Sequence, residues 1–176
     1  MFERITEETF EDIFPLLEEA FPETELRTKA DQKALLQEPC YRLYGVKGAM
    51  ESYLAVFAIW EIETFLYIEH FAVKKECHNR GYGGALLDNL LKEKGKPVVL
   101  EVEPPEDALT RRRVGFYQRH GFAFNGYPYL QPPMRKGHGM LPLRLMTWPG
   151  GIDEETYERY KDRLYRIVYK YKGECV

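Results

Sequence analysis

Apolar residues switch between two spacings along the chain. Phe10, Ile13, Phe14, Leu17 and Ala20 recur at three- and four-residue steps, which predicts a helix running to about Phe21. Thr6 stands ahead of it as N-cap, with Glu8 or Thr9 in the first turn. Met1 to Thr6 reads as a short strand, and Thr28 to Gln37 as a second short helix. Tyr41 to Val46, Tyr53 to Glu63 and Phe65 to Val73 are rich in β-branched and aromatic residues and read as three strands. Lys47-Gly48-Ala49-Met50 and Glu61 to Thr64 connect them, so an antiparallel meander is expected. The helical spacing returns from Gly81 to Lys94, with Ala85, Leu86, Leu87, Leu90 and Leu91 on one face and Gly95 as the stop. Val98 to Val102 is a buried strand. Pro104-Pro105-Glu106-Asp107 ends it and opens a helix from about Ala108 to His120, stopped at Gly121. Phe122 to Tyr129 and Met140 to Trp148 are the last strands, joined by a Pro/Gly/basic loop from Gln131 to Gly139. Asp153 to Lys172 closes the chain as an amphipathic helix, with Tyr157, Tyr160, Leu164, Ile167, Val168 and Tyr171 on one face. That face suits docking on the domain or on a second copy in a homodimer. The pattern as a whole predicts one mixed α/β domain spanning residues 1–176, a core over 1–149 with an appended helix over 150–176.

Composition narrows the class. Of 176 residues, 44% are hydrophobic and 30% charged, the profile of a folded globular chain rather than a disordered one. A net charge of -3 and a pI near 5.9 give no support to general nucleic-acid binding. No apolar run reaches the roughly 18–20 residues that span a bilayer, so no membrane partner is expected. The start, MFERITEETFEDIF, lacks the basic and apolar stretches of a signal peptide. Cys40, Cys77 and Cys175 are an odd number at unrelated spacings, which argues against a disulfide framework or a zinc site. A cytoplasmic location is the expectation. The 13 tyrosines suit half-buried strand and helix positions as well as a substrate cleft.

One segment carries more chemistry than the rest. His78-Asn79-Arg80-Gly81-Tyr82-Gly83-Gly84 lies between a strand ending at Val73 and a leucine-rich helix. A diphosphate needs several backbone N–H groups converging on one small cavity. Glycine lets the backbone approach closely, and the helix that follows adds free N–H groups and the positive end of its dipole. A purely structural strand-to-helix turn is the alternative reading. The Gly-Lys-Ser/Thr ending of a Walker loop is absent. A dinucleotide fold is disfavoured, because the loop lies mid-chain after an antiparallel meander.

His78-Asn79-Arg80-Gly81-Tyr82-Gly83-Gly84-Ala85-Leu86-Leu87, beginning five residues after Val73, resembles motif A of the GNAT superfamily of N-acetyltransferases. That motif reads Gln/Arg-x-x-Gly-x-Gly/Ala; Gly81 and Gly83 take the small positions, and His78 replaces the usual glutamine or arginine. A register from Arg80 to Ala85 also satisfies the pattern formally. Gly115-Phe116-Tyr117-Gln118-Arg119-His120-Gly121-Phe122 resembles the family's motif B, Phe-Tyr-x-x-x-Gly-Phe, and the order of elements from Met1 to Trp148 is similar too.

The resemblance implies an α/β (α+β) fold: a mixed, mostly antiparallel sheet with a splayed central strand pair, flanked by helices, with a C-terminal helix added here. It implies transfer of an acetyl group from acetyl-CoA to a primary amine by direct attack. His78, Asn79, Arg80, Gly81, Tyr82, Gly83 and Gly84 would hold the pyrophosphate. Phe71, Ala72 and Val73 would lie along the pantetheine in the splay between Glu69–Val73 and Val98–Val102, and an N–H near the thioester would steady the oxyanion. Tyr117 matches the tyrosine that protonates the departing thiolate and contacts the cofactor; packing against its helix is the alternative. The ammonium must lose a proton, and Glu69, sharing strand parity with Phe71 and Val73, is the first candidate base, with Glu101 and Glu103 as rivals. Each of these could instead be an electrostatic anchor or a solvated charge.

Several other residues invite a reading. Arg111, Arg112 and Arg113 point in different directions around a helix, so they cannot all serve one phosphate. Alternation sends His70 to the face opposite Glu69, as a packed histidine. Cys77 adjoins the loop as a bystander. Arg135, Lys136 and His138 sit in a loop that borders the acceptor or is passive. Acceptors within reach of this reading are small-molecule or peptide amines, and Glu18, Glu19, Glu23 and Glu25 mildly favour a cationic one. A non-catalytic acyl-CoA-binding sensor is the competing class, disfavoured by the presence of both Tyr117 and Glu69.

Overall fold

The three segments with strand character pair as expected. Strands β2 (Tyr41–Lys47), β3 (Tyr53–Glu61) and β4 (Leu66–Val73) form an antiparallel meander, and β1 (Glu3–Arg4) joins the free edge of β2. The computed structural model describes residues 2–48 and 51–171. Met1, Ala49, Met50, Lys172 and Cys175, which enter the readings above, lie outside the described residues. The chain divides into two compact units, Met1–Val98 and Val99–Val176.

In the first unit, helix α1 (Phe10–Ala20) packs on β3 and β4. Its apolar stripe of Phe10, Ile13, Phe14 and Leu17 is buried, as the spacing predicts. Each such side chain contributes about 1.5–3 kcal/mol on burial. The helix begins later than expected because the Thr9 hydroxyl accepts the Thr6 N–H at 3.1 Å. That side-chain turn competes with helix over residues 6–9. Helix α2 (Lys29–Ala34) is capped by Thr28, whose hydroxyl accepts the Asp31 N–H, and passes into a 3-10 turn over Leu35–Gln37. Helix α3 (Tyr82–Lys94) follows the glycine loop and ends at Gly95, whose N–H donates to the Leu91 carbonyl.

Pairing of β3 with β4 is not continuous. Ala58 faces His70 and Ile59 faces Ile68, so Glu69 has no partner across the ladder. This extra residue is a β-bulge, which bends a strand and re-aims its side chains.

The second unit contains β5 (Val98–Val102, entered at its boundary), α4 (Ala108–Arg119), β6 (Ala123–Phe124), β7 (Tyr129–Gln131), β8 (Leu141–Trp148) and α5 (Glu154–Arg163). Strand β8 neighbours β5 and pairs antiparallel with both β6 and β7. A single strand over Phe122–Tyr129 was expected, and the chain leaves the ladder between β6 and β7 instead. There the Asn125 amide donates to the Leu145 carbonyl at 3.1 Å and to Thr147 Oγ1 at 3.0 Å, and Gly126 and Pro128 follow. Pro128 has no N–H to offer a ladder. Helix α4 opens with a capping box in which Asp107 and Thr110 each accept the other's backbone N–H. Helix α5 gives way to a π-helical turn over Leu164–Val168. The Tyr157 hydroxyl donates to the Pro128 carbonyl at 2.6 Å, and the Tyr165 hydroxyl to that of Leu130, so this segment docks within its own unit. Among the described residues no helix is long and apolar enough to cross a membrane. The architecture is mixed α/β with mostly antiparallel strand pairs.

Gly45 shows how tightly α1 meets the meander. A Cβ there would lie 2.8 Å from Ile13 Cδ1 and against the Tyr53 ring. Gly45→Ala is expected to destabilise the protein by about 1–3 kcal/mol, the usual cost of overpacking. Urea unfolding checks this through a lowered midpoint at unchanged slope; an unchanged midpoint would contradict the close approach.

Candidate active site

The bulge in β4 gathers a buried polar cluster. Arg27 Nη1 donates to Glu69 Oε1 at 2.6 Å, with the Glu69 side chain fully sealed and that of Arg27 9% exposed. The Arg27 guanidinium also lies 5.9 Å from the centre of the Trp60 ring. His70 Nε2 donates to the Glu25 carbonyl at 2.7 Å, and its ring packs edge-on against Phe21. His70 Nδ1 lies 3.6 Å from Glu69 Oε2. Simple alternation would separate these two side chains; the bulge brings them together. Burial pushes the His70 pKa below the usual imidazole range, with Glu69 pulling it back up. His70 is a packed histidine, 2% exposed, as expected from the sequence, but a polar neighbour of Glu69. Beside them the Gln32 amide donates to the Tyr41 hydroxyl at 2.7 Å, and burial drives the Tyr41 pKa far upward.

From Glu69 on, β4 alternates again. Phe71 and Val73 are half-buried while Ala72 is buried, and the Phe71 ring stacks on Phe57 with centroids 4.1 Å apart. The chain then makes a 3-10 turn over Lys75–Cys77 and reaches the glycine loop. His78 Nε2 donates to the Val73 carbonyl at 2.7 Å, tying the start of the loop to the end of the strand. Asn79 and Gly81 both adopt left-handed backbone, at φ 59° and 78°. Asparagine tolerates that region and glycine enters it without a Cβ penalty. The turn delivers the chain into α3 with no side-chain cap. The first intrahelical bond runs from the Ala85 N–H to the Gly81 carbonyl at 3.1 Å, so the N–H groups of Tyr82, Gly83 and Gly84 have no partner within the helix. Residues His78 to Tyr82 are exposed. Three outward amides at the positive end of a helix dipole can bind a phosphate or diphosphate through backbone groups alone.

The remaining candidates lie in the second unit. Tyr117, on α4, is half-buried, with its ring 5.2 Å from Phe116 and 5.5 Å from Phe122. Burial pushes its phenol pKa up to about 12, with Arg113 acting the other way. Glu101 accepts from the hydroxyls of Tyr129 and Tyr169, the latter at 2.8 and 2.9 Å to its two oxygens. Arg113 donates to Glu103 at 2.5 Å, and Arg111 to the Glu106 carbonyl at 2.8 Å. Arg111 and Arg113 therefore diverge, as residues two apart on a helix must. Cys40 and Cys77 are free thiols, and no described cluster of His, Cys, Asp and Glu could hold a metal ion.

Comparison with known proteins gives this geometry a family. A model of the acetyltransferase (GNAT) domain matches residues 41–123. The chain is 37% identical over 161 residues to "Putative acetyltransferase YjbC" of Bacillus subtilis (strain 168), covering 90% of this chain and 81% of that protein. The chain belongs to the GNAT superfamily of acetyltransferases. A solved GNAT-family structure from Bacteroides thetaiotaomicron, titled a putative acetyltransferase, superposes with a TM-score of 0.89 at 33% identity, covering 98% of this chain and 99% of that one. The fold alone is shared with a spermidine N-acetyltransferase SpeG mutant from Vibrio cholerae, with a TM-score of 0.63 at 12% identity over 84% of this chain and 93% of that one. It is likewise shared with the ribosomal-protein-S18-alanine N-acetyltransferase of Escherichia coli, at 0.62 and 18% over 88% and 96%. As a GNAT protein the chain is an acyltransferase, and members of the family generally use acetyl-CoA.

Sequence reasoning named Glu69 but not Arg27, which pairs with it, nor the nearby Gln32–Tyr41 pair. No local spacing links Arg27 to a residue 42 positions away. Arg27→Met would strand the buried Glu69 carboxylate and is expected to cost about 3–5 kcal/mol. The double change with Glu69→Gln should recover much of that loss. Chemical denaturation of the two single variants and the double variant measures the coupling, and strict additivity would refute the pair.

Proposed function

We propose that this GNAT protein transfers the acetyl group of acetyl-CoA to a primary amine by direct attack, without an acyl-enzyme intermediate. The observation that carries this reading is the uncapped first turn of α3, delivered by the left-handed Asn79 and Gly81 directly after β4. Its Tyr82, Gly83 and Gly84 amides are assigned to the pyrophosphate, with His78, Asn79 and Arg80 bordering it. Backbone of Phe71, Ala72 and Val73 is assigned to the pantetheine. The Val73 carbonyl is already engaged by His78, so at Val73 this assignment falls on the carbonyl's second lone pair or on the amide. His78 thereby takes a structural part, holding the loop to the strand with a ring nitrogen.

For the chemistry, an ammonium cannot attack a thioester until it has shed a proton, so the site must take one proton in and give one out. Glu69 is assigned to the first step and Tyr117 to the second. A phenol can donate to a departing thiolate, whose ordinary pKa is about 8.5, as negative charge builds on sulfur. Its raised pKa keeps Tyr117 protonated through the whole working range. The acidic side chains Glu18, Glu19 and Glu23 on and after α1 support a cationic acceptor; they are solvent-facing.

The test is an acetyl-CoA-dependent assay with a panel of polyamines, aminoglycosides and peptide amines, reading free thiol. Turnover with at least one amine is expected, and thiol release independent of any amine would overturn the reading. Tyr117→Phe should lower kcat by about 10²-fold or more while acetyl-CoA binding is retained; unchanged kcat would remove the assigned acid. Because the acid form of Tyr117 is the active one and its pKa is pushed up to about 12, kcat should show no alkaline fall between about pH 8 and pH 10. A fall there that Tyr117→Phe abolishes would contradict the burial of the phenol.

A further inference from the structure

The Glu69 and His70 side chains present an electrostatic problem that packing alone does not explain. The Glu25 carbonyl can only accept, so the proton of a neutral His70 ring resides on Nε2, which bonds it at 2.7 Å. Nδ1 then carries a lone pair. It is aimed at Glu69 Oε2, 3.6 Å away, which as a carboxylate oxygen also only accepts. Both side chains are sealed, at 1% and 0% exposure. Neither atom has a hydrogen-bond donor among the described residues. A buried acceptor left unpaired costs about 1–3 kcal/mol, and here two confront one another across a gap that one proton would close.

We propose that Glu69 and His70 act as one proton-holding pair, in which the proton lost by the acceptor ammonium, passed inward through an intervening water because both side chains are sealed, comes to rest between Glu69 Oε2 and His70 Nδ1. This rests on the proposed amine acetylation. The ammonium N–H bond breaks with its electron pair left on nitrogen, which becomes the nucleophile. A new O–H or N–H bond forms within the pair, and a contraction of less than 1 Å turns the 3.6 Å gap into an ordinary hydrogen bond. After acetyl transfer the proton leaves by the same water path, and the two acceptors face each other again. Arg27 remains on Glu69 Oε1 throughout, leaving Oε2 as the oxygen that changes state.

The groups surrounding His70 fit this assignment. Glu69 favours the protonated ring from its own strand, and Arg27 opposes it from the connector between α1 and α2. The Glu25 carbonyl fixes the tautomer, the Phe21 ring closes one side at 4.5 Å, and Ala58 lies opposite on β3. Tyr41 lies further out, where its phenol feels both Glu69 and Arg27. His70 would thus be a positioning residue acting through Glu69.

Nitrogen-15 NMR of the imidazole ring in the native protein tests the pair without any substrate. The expected result is the Nε2–H tautomer at neutral pH, with a titration midpoint that Glu69→Gln lowers by about one unit or more. An Nδ1–H tautomer, or a midpoint indifferent to Glu69→Gln, would overturn the proposal. The kinetic arm uses His70→Gln, since a glutamine amide can still donate to the Glu25 carbonyl while offering no ring lone pair. Its kcat/KM for the best amine of the panel should fall about tenfold or more near neutral pH, with the KM for acetyl-CoA unchanged. Raising the pH should restore activity as the amine sheds its own proton. Wild-type activity at every pH, or an equal loss at every pH, would show that His70 serves packing only. If the native protein acetylates no amine, the proposed function fails, whereas the tautomer and the Glu69 dependence still judge the pair.

Discussion

Strand β4 has to satisfy two requirements at once. Its backbone must stay paired with β3 along eight residues, and it must carry a carboxylate and an imidazole in a setting otherwise filled by Ile59, Trp60 and Ile68. A regular strand would put those neighbouring side chains on opposite faces. The extra residue at Glu69 relieves the conflict: the ladder continues on either side while the two polar groups converge. Everything that makes this region polar then follows. Arg27 compensates the charge, the Glu25 carbonyl takes the ring proton, and the Gln32–Tyr41 pair lines the same interior. The ion pair is weak grounds for stability, since desolvating two charges offsets most of their attraction. The pair holds one carboxylate oxygen and leaves the other without a hydrogen-bond donor among the described residues.

The glycine loop solves a different problem with backbone alone. Two left-handed residues in three turn the chain so sharply that α3 begins with its amides outward and no side chain across them. A conventional cap such as the Asp107–Thr110 box on α4 would occupy the donors that an anion needs. Two helix starts in one chain thus differ in whether their first amides are taken by a side chain. The capped helix begins as designed proteins are advised to begin, and the uncapped one leaves a local rule unmet where a ligand would meet it. His78 limits the resulting looseness by bonding the Val73 carbonyl.

What could be read from the sequence was what depends on neighbours in the chain. The meander and the glycine turn are local patterns and take the expected form; on α3, Leu87, Leu90 and Leu91 are buried, while Ala85, expected on the same face, is exposed and Leu86 is half-buried. The late start of α1 was hidden because Thr6 and Thr9 can serve either as cap or as a separate turn. The break between β6 and β7 is signalled by Gly126 and Pro128, within an aromatic run of Phe122, Phe124, Tyr127 and Tyr129 that itself favours a strand. The environment of Glu69 could not be read at all. A bulge is a property of two strands in register, and Arg27 comes from a connector whose path the sequence does not announce. Alternation, the rule that placed His70 away from Glu69, fails where an unpaired residue interrupts it.

The connector between α1 and α2 therefore has less freedom than its position suggests. In eight residues, Phe21 to Thr28, it supplies a ring against His70, a carbonyl to the same imidazole, a counterion for Glu69 and a cap for α2. Here an insertion or deletion would withdraw several of those supports together. The stretch thus couples the polar interior of β4 to the start of α2, and its length is set by both.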